Sequence, residues 1–170
     1  LGKDAESISL ELSNVKLEEI IMVKNEYVNS YNADGYTEII SNIIKEESPK
    51  NIVLGHTYQT RDFAPRLSAR LNIPFIPDLI LCHEENFTKQ VLNAKLNALI
   101  KCTSGQKILS FQSAAFNEED LILGQNKTRL LDIAIDSSII RSNSEDPFQE
   151  SAGDVDLESA EVLVSVGRGI

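Results

Sequence analysis

The sequence contains no tryptophan, one methionine, two histidines and two cysteines in 170 residues. Two cysteines are too few for a disulfide framework, and the spacing of Cys82 and Cys102 matches neither a zinc motif nor a redox motif. With no secretion signal in view, we expect both thiols to be buried and reduced. Basic residues are also scarce, with 16 against 26 acidic ones and a net charge of −10. Because a nucleic-acid binder needs a basic face to engage phosphates, we exclude nucleic acid as a partner.

Long hydrophobic runs are missing as well. No apolar stretch approaches the roughly 18 residues that a membrane-spanning helix requires, so we expect a chain that does not span a membrane. Hydrophobic residues make up 42% and charged residues 25% of the chain. This composition is typical of a folded globular domain and not of a disordered one.

The first half of the chain predicts an alternation of helices and strands. Apolar spacing indicates helices over residues 4–17, 36–44 and 60–71, the second with Asp34 as N-cap. Short apolar runs at 20–23 and 51–55 indicate buried parallel strands, and Pro74 and Pro77 restrict a strand at 73–81 to a sheet edge or to its ends. Pro65 is expected within the first turns of its helix, where the missing N–H costs least. This alternation predicts an α/β domain with a mostly parallel sheet.

The second half predicts antiparallel strands at the edge of that sheet, over residues 87–92, 94–101, 107–111 and 128–141. Residues 142–161 contain seven acidic residues and no basic ones, which indicates a solvated connector. A final short strand over 160–165 then leads into Gly167-Arg168-Gly169.

The loop from Gly55 to Thr60 lies between a strand and a helix, where ligands gather in α/β sheets. It matches neither a Walker loop nor the dinucleotide fingerprint, so a turn with a helix cap is the favoured interpretation. His56 and His83 both follow strands and could converge, but no nucleophile or further metal ligand stands at a fixed spacing from them.

Other charged residues are interpreted as parts of solvated faces. Arg61, Asp62, Arg66 and Arg70 share one helix, with Asp62 and Arg66 four residues apart. Asp132 and Asp136 alternate on one face of a predicted strand, where paired carboxylates could do acid–base work but more often face solvent.

Four ordered segments resemble the alpha subunit of electron transfer flavoproteins. Residues 60–71, followed by Pro77-Asp78, are similar to the family's "grDlaPrlAarL" helix and the aspartate after it. Residues 87–98 and 110–116 resemble its "fvRPiyaGnala" and "TVRGTAF" segments. Residues 159–169 resemble the "VVVSGGRG" junction between its two domains. The sequence departs from these patterns at Gln112, at Lys89-Gln90, at Ala94-Lys95 and at Val166.

The resemblance implies a Rossmann-like three-layer α/β sandwich related to the adenine nucleotide alpha hydrolase domains. Residues 1–158 would form its N-terminal domain without the first strand, helix and strand. Residues 159–170 would open the junction to an absent FAD-binding domain. In the family the junction arginine contacts FAD, which puts Arg168, with Gly167 and Gly169, at the cofactor. We expect FAD in the full-length complex and none held stably by this piece, and we predict no metal site and no catalytic residue.

The implied function is that of an electron carrier and not of a catalyst with its own substrate. Partners would be the electron transfer flavoprotein beta subunit, flavin dehydrogenases such as the acyl-CoA dehydrogenases of fatty acid β-oxidation, and a quinone reductase. The compartment would be a bacterial cytoplasm or a mitochondrial matrix. The alternative is a nucleotide-binding α/β domain, a stress-protein-like binder or hydrolase that uses the Gly55–Thr60 loop.

Overall fold

The computed structural model describes residues 1–145, 162 and 164–167. In this part of the chain three α-helices and seven β-strands follow one another. They are α1 (Ala5–Glu11), β1 (Glu19–Val23), α2 (Ala33–Glu47), β2 (Asn51–Gly55), α3 (Tyr58–Leu71), β3 (Phe75–His83), β4 (Asn86–Val91), β5 (Leu96–Lys101), β6 (Lys107–Phe111) and β7 (Lys127–Leu131).

The main sheet has five strands in the order β2-β6-β3-β4-β5. Its first three strands are parallel, and β4 and β5 continue it as an antiparallel hairpin at one edge. A separate two-stranded sheet joins β1 and β7 in parallel. The predicted α/β class, with a mostly parallel sheet and antiparallel edge strands, is confirmed.

Two strands lie where the sequence did not predict them. We expected β6 at an antiparallel edge, but it runs parallel between β2 and β3, and all five of its residues are buried. Residues 128–141 do not form one long antiparallel strand. Within this stretch only β7 is a strand, and it is parallel to β1. The following segment belongs to no strand and contains a short 3₁₀ turn at Ser137–Ile139. Apolar patterns located these strands but not their burial, since Val53 of β2 and Cys82 of β3, both expected to be buried, are exposed. Strand direction likewise depends on distant partners.

The prolines of β3 do not force it to an edge, because it lies between β6 and β4. Pro74 precedes the strand, and Pro77 lies where the pairing with β6 shifts between Ile76 and Leu79. The next residue, Asp78, has a left-handed backbone with φ of 65°. Because the pairing with β6 is interrupted here, Pro77 does not have to donate a backbone hydrogen bond to the neighbouring strand.

Helix ends also differ from the prediction. The N-cap of α2 is Asn32, whose Oδ1 accepts a hydrogen bond from the Gly35 N–H at 3.0 Å, and Asp34 lies inside the first turn. Helix α3 begins at Tyr58, which makes Pro65 its eighth residue and places it beyond the first turn. The α-helix expected over 4–17 ends at Glu11 and continues as a 3₁₀ turn over Leu12–Asn14.

Two hydrophobic clusters hold the main sheet. One joins α2 and α3 to β2 and β6 through side chains such as Ile44, Leu67 and Ile108. The other joins β3, β4 and β6 through Leu79, Phe87 and Leu109. Helix α2 also packs on the smaller sheet, where Ile39 contacts the cluster around Val23. One helix therefore connects both sheets.

Of the strand predicted over 160–165, only residues 162, 164 and 165 are described, and they are in no strand, as are residues 166 and 167. Most of the predicted connector, residues 146–161, lies outside the described residues. Val162, Val164 and Val166 are all strongly exposed. A β-strand is stable only beside a partner strand, and these residues pair with none of the seven strands.

Candidate functional site

Polar side chains meet where β2 and β6 end and where the parallel pairing of β3 with β6 becomes irregular. His56 directly follows β2, and its backbone N–H donates to the Phe111 carbonyl at 2.7 Å. Its ring Nδ1 lies 2.9 Å from the Oγ of Ser110, near the end of β6. Asp78 of β3 completes the group, since its Oδ1 is 3.6 Å from His56 Nε2 and accepts from the Gln112 amide at 3.0 Å.

This group contains a serine, a histidine and an aspartate, but the serine is not accessible to a substrate. Ser110 is fully buried, and its Oγ accepts a hydrogen bond from the Asp78 backbone N–H at 3.3 Å. The hydrogen bond between Ser110 Oγ and His56 Nδ1 runs in either direction according to the tautomer of the ring, because the serine oxygen has a second lone pair. The network therefore fixes the histidine ring and the irregular backbone of Asp78.

Outside this network lies an open cleft of about 530 Å³. His56 and Asp78 form one side of it, and Arg61 and Lys89 line it as well. Pro65 and Phe75 supply apolar surface. Such a mixture of apolar walls and a few charged groups is typical of small-molecule sites.

Of the other predicted candidates, His83 lies away from this cleft, whereas the Gly55–Thr60 loop borders it through His56. His83 is exposed in the β3–β4 hairpin, paired with Asn86, and stands five residues beyond Asp78. In a strand that spacing corresponds to about 16 Å, so the two histidines do not converge. In the Gly55–Thr60 loop, Thr57 Oγ1 accepts from the Thr60 N–H at 3.2 Å, as the cap of α3.

The predicted charged helix face forms ion pairs. Arg66 contacts Asp62 at 3.1 Å and Asp34 at 3.3 Å, and Arg70 pairs with Glu38. Asp132 and Asp136 do not share the face of a strand, because β7 ends at Leu131. Asp136 instead caps a 3₁₀ turn by accepting from the Ser138 N–H.

Asp34 is a buried carboxylate that holds three segments together. It accepts from the Arg141 side chain at 3.0 Å and from the Arg141 backbone N–H at 3.1 Å, besides its contact with Arg66. The hydrogen bond from the Arg141 guanidinium, more than any other cause, holds the pKa of Asp34 below its usual value. Nearby, burial together with a hydrogen bond to Asp62 raises the pKa of Tyr31.

The predicted flavin contacts fall almost entirely outside the described residues. Arg168 and Gly169 lie outside them, and Gly167 is exposed with nothing within 4 Å of the position of a Cβ. The flavin contacts at Gly167, Arg168 and Gly169 therefore stay a prediction. Within the described ranges no group of three or more metal-binding side chains is found, and no helix is long and apolar enough to cross a bilayer.

Sequence reasoning missed Ser110 and Asp78 as partners of His56. A signal was present, because residues at the carboxyl ends of parallel strands meet at one edge of a sheet. Using it required knowing that β6 lies between β2 and β3, which the sequence did not predict.

The fold defines the class of protein first: this is a Rossmann-like α/β domain whose polar side chains gather at the carboxyl ends of parallel strands. The family model described as "Electron transfer flavoprotein domain" matches residues 1–135. The chain therefore belongs to the electron transfer flavoprotein family.

Curated relatives agree with this assignment. The chain is 23% identical to an electron transfer flavoprotein subunit alpha of Bacillus subtilis, over 100% of this chain and 53% of the relative. It is 29% identical to a protein of the same name from Thermoanaerobacterium thermosaccharolyticum, over 100% and 54%. It is 24% identical to an acryloyl-CoA reductase electron transfer subunit beta of Anaerotignum propionicum, over 100% and 55%. The chain spans about half the length of these relatives.

Proposed function

We propose that this chain is the N-terminal domain of an electron transfer flavoprotein alpha subunit and acts as a scaffold in an FAD-containing heterodimer with the beta subunit. The observation that carries the proposal is the family match over residues 1–135 together with alpha-subunit relatives aligned along the whole chain. The domain needs no nucleophile for this role, because a bound flavin supplies the redox chemistry and the protein positions it.

The flavin contact is proposed at the junction. In the motif that resembles the family's domain junction, Arg168 lies between Gly167 and Gly169 and would bring its guanidinium to the cofactor. The permanent positive charge of the guanidinium suits an electron-rich ring carbonyl. The structure contributes to this proposal only the exposed position of Gly167.

Electron donors are proposed to be flavin dehydrogenases such as the acyl-CoA dehydrogenases of fatty acid β-oxidation, with a quinone reductase as acceptor. One relative is named as the electron transfer subunit of an acryloyl-CoA reductase, which supports a donor or acceptor that handles acyl-CoA compounds. The proposed compartment is a bacterial cytoplasm or a mitochondrial matrix.

The alternative, a nucleotide-binding domain that uses the Gly55–Thr60 loop, receives less support. Thr57 already satisfies one of the free N–H groups at the start of α3, which weakens an anion site on the backbone of this loop. The family match also favours the electron carrier.

The test is a visible spectrum of the full-length protein purified together with its beta subunit. We expect flavin bands at roughly 370 and 440 nm, which the electronics of the cofactor itself set. A colourless complex that binds ATP would overturn the proposal in favour of the alternative.

Arg168→Ala in the same complex tests the flavin contact. We expect less FAD per heterodimer after gel filtration, because the guanidinium is lost. Arg70→Ala is the matched control, since it removes a charge that pairs with Glu38 in this domain. Unchanged FAD content in Arg168→Ala would show that the position was assigned wrongly.

A further inference from the structure

The cleft at the carboxyl ends of β2 and β6, beside Asp78 of β3, is lined by an arginine and a lysine that have no carboxylate partner among the described residues. Four arginines, Arg66, Arg70, Arg129 and Arg141, each lie within 4.0 Å of a carboxylate. Arg61 is the exception among the described arginines. Its guanidinium carbon lies 5.7 Å from the ring centre of Tyr58, which is 87% exposed.

Lys89 is the second positive charge at the cleft. It extends from β4, the strand next to β3, and makes no ion pair within the described part of the chain. Unpaired lysines are common in the described part of the chain, where Lys24 alone pairs with a carboxylate, so what sets Arg61 and Lys89 apart is that they share one cleft. Two positive side chains that line one cleft without such a partner are available to an external anion.

The one carboxylate that lines the cleft does not cancel this charge. Asp78 Oδ1 accepts from the Gln112 amide at 3.0 Å and faces His56 Nε2 at 3.6 Å. Arg61 and Lys89 against Asp78 leave a local excess of positive charge on an otherwise acidic molecule. Arginine holds phosphate oxygens with two parallel N–H groups, and lysine adds a point charge.

The remaining walls select the body of the ligand. Pro65, Phe75 and Pro77 present apolar surface beside the two cations. A second, smaller cleft adjoins the first across His56 and Arg61 and is lined by the exposed ring of Tyr58. Flat apolar groups pack well against such rings and prolines.

We propose that this cleft binds a phosphate monoester that carries a flat apolar group, with Arg61 and Lys89 holding the phosphate and the proline and aromatic surfaces receiving the flat group. Because the side chains of Arg61 and Lys89 would hold the phosphate, the site does not depend on the backbone N–H groups at the start of α3, one of which already donates to Thr57. The proposal goes beyond the electron-carrier function, because it concerns a ligand that takes no part in holding the flavin.

The experiment measures binding of phenyl phosphate and of inorganic phosphate to the full-length protein by isothermal titration calorimetry. We expect phenyl phosphate to bind more tightly than inorganic phosphate. Arg61→Gln should weaken phenyl phosphate binding at least about tenfold, the loss expected when one charge-assisted hydrogen bond is removed. Lys89→Gln should weaken it in the same direction.

Arg70→Gln is the matched control, since it removes the same charge from the same helix but outside the cleft. It should leave the affinity unchanged, and thermal unfolding should show that all variants are folded. The proposal fails if the protein does not bind phenyl phosphate at about 10 mM, or if inorganic phosphate binds as tightly. It also fails if Arg61→Gln and Arg70→Gln behave alike. The flavin spectrum of the same samples reports separately on the electron-carrier function.

Discussion

The five-stranded sheet and the two-stranded sheet of this domain are stabilised in different ways. The larger sheet surrounds β6, whose five residues are all buried, and packs through clusters that are almost entirely apolar. The smaller sheet has an apolar cluster of its own but adds many polar contacts. Arg129 of β7 binds Glu19 of β1 and Glu47 of α2, and Asn25 donates to the Ile133 carbonyl at 2.9 Å.

The segment after β7 extends this polar character. Arg141 binds Asp34, Asn32 donates to the Ser142 carbonyl, and Ser144 donates to the Tyr31 carbonyl. Residues 133–144 are therefore held to α2 and its preceding loop by hydrogen bonds. The larger sheet is therefore stabilised by the burial of apolar side chains, which is insensitive to pH. The attachment of residues 133–144 depends instead on a titratable carboxylate, that of Asp34.

The largest effect is expected from a cavity in the larger sheet. Leu79 is fully buried in β3, so Leu79→Ala should lower the free energy of unfolding by about 2–5 kcal/mol, through lost burial and an unfilled cavity. Urea unfolding of the domain measures this loss. Leu99→Ala, at an exposed position of β5, is the control and should change the stability little. Similar losses in both variants would contradict the role assigned to this core.

A smaller effect is expected from the carboxylate that joins the segments. Asp34→Asn should lower the free energy of unfolding at pH 7 by about 1–3 kcal/mol, because hydrogen bonds between Asp34 and two guanidinium groups are weakened. Glu11→Gln, an exposed site in α1, is the control. Hydrogen exchange should show faster opening in residues 133–144 than in β6.

The pH dependence of this difference has a defined sign. The folded pKa of Asp34 is lowered, so its stabilisation is present in full above the pKa of the unfolded chain. It is lost as the pH falls through the lower folded pKa. The gap between the natural protein and Asp34→Asn should therefore shrink as the pH is lowered below about 4. A gap that stays constant down to pH 2 would argue against ion pairing at this site.

The smallest effect concerns the weak end of the larger sheet, the turn between β4 and β5. Leu92, Asn93 and Ala94 all have left-handed backbones, and φ at Ala94 is 62°. Because this conformation is costly for residues with a Cβ, Ala94→Gly should stabilise the domain by about 1 kcal/mol. Ala98→Gly, in the extended strand β5, is the control and should destabilise it. A thermal midpoint that falls in both variants would contradict this account of the turn.

The resemblance that identified the family also marked this turn, since Ala94-Lys95 stand where the family pattern has glycine and asparagine. The structure supplies the physical reason for a glycine there, which is the positive φ. Gln112 is a second departure from the pattern, and the structure gives it a role as the hydrogen-bond donor to Asp78.

The sequence by itself determined the helices, the positions of most strands and the family, because each depends on local patterns: apolar spacing, short apolar runs and ordered motifs. It placed His56 at the end of a strand and Arg61 on the following helix. Only the tertiary structure decided that β6 lies parallel between β2 and β3, and hence that His56, Ser110 and Asp78 meet. It also decided that Asp34 is a buried link to Arg141. The physical reason is that strand order and the partners of a charge are set by contacts between residues far apart in the chain, which no local pattern records.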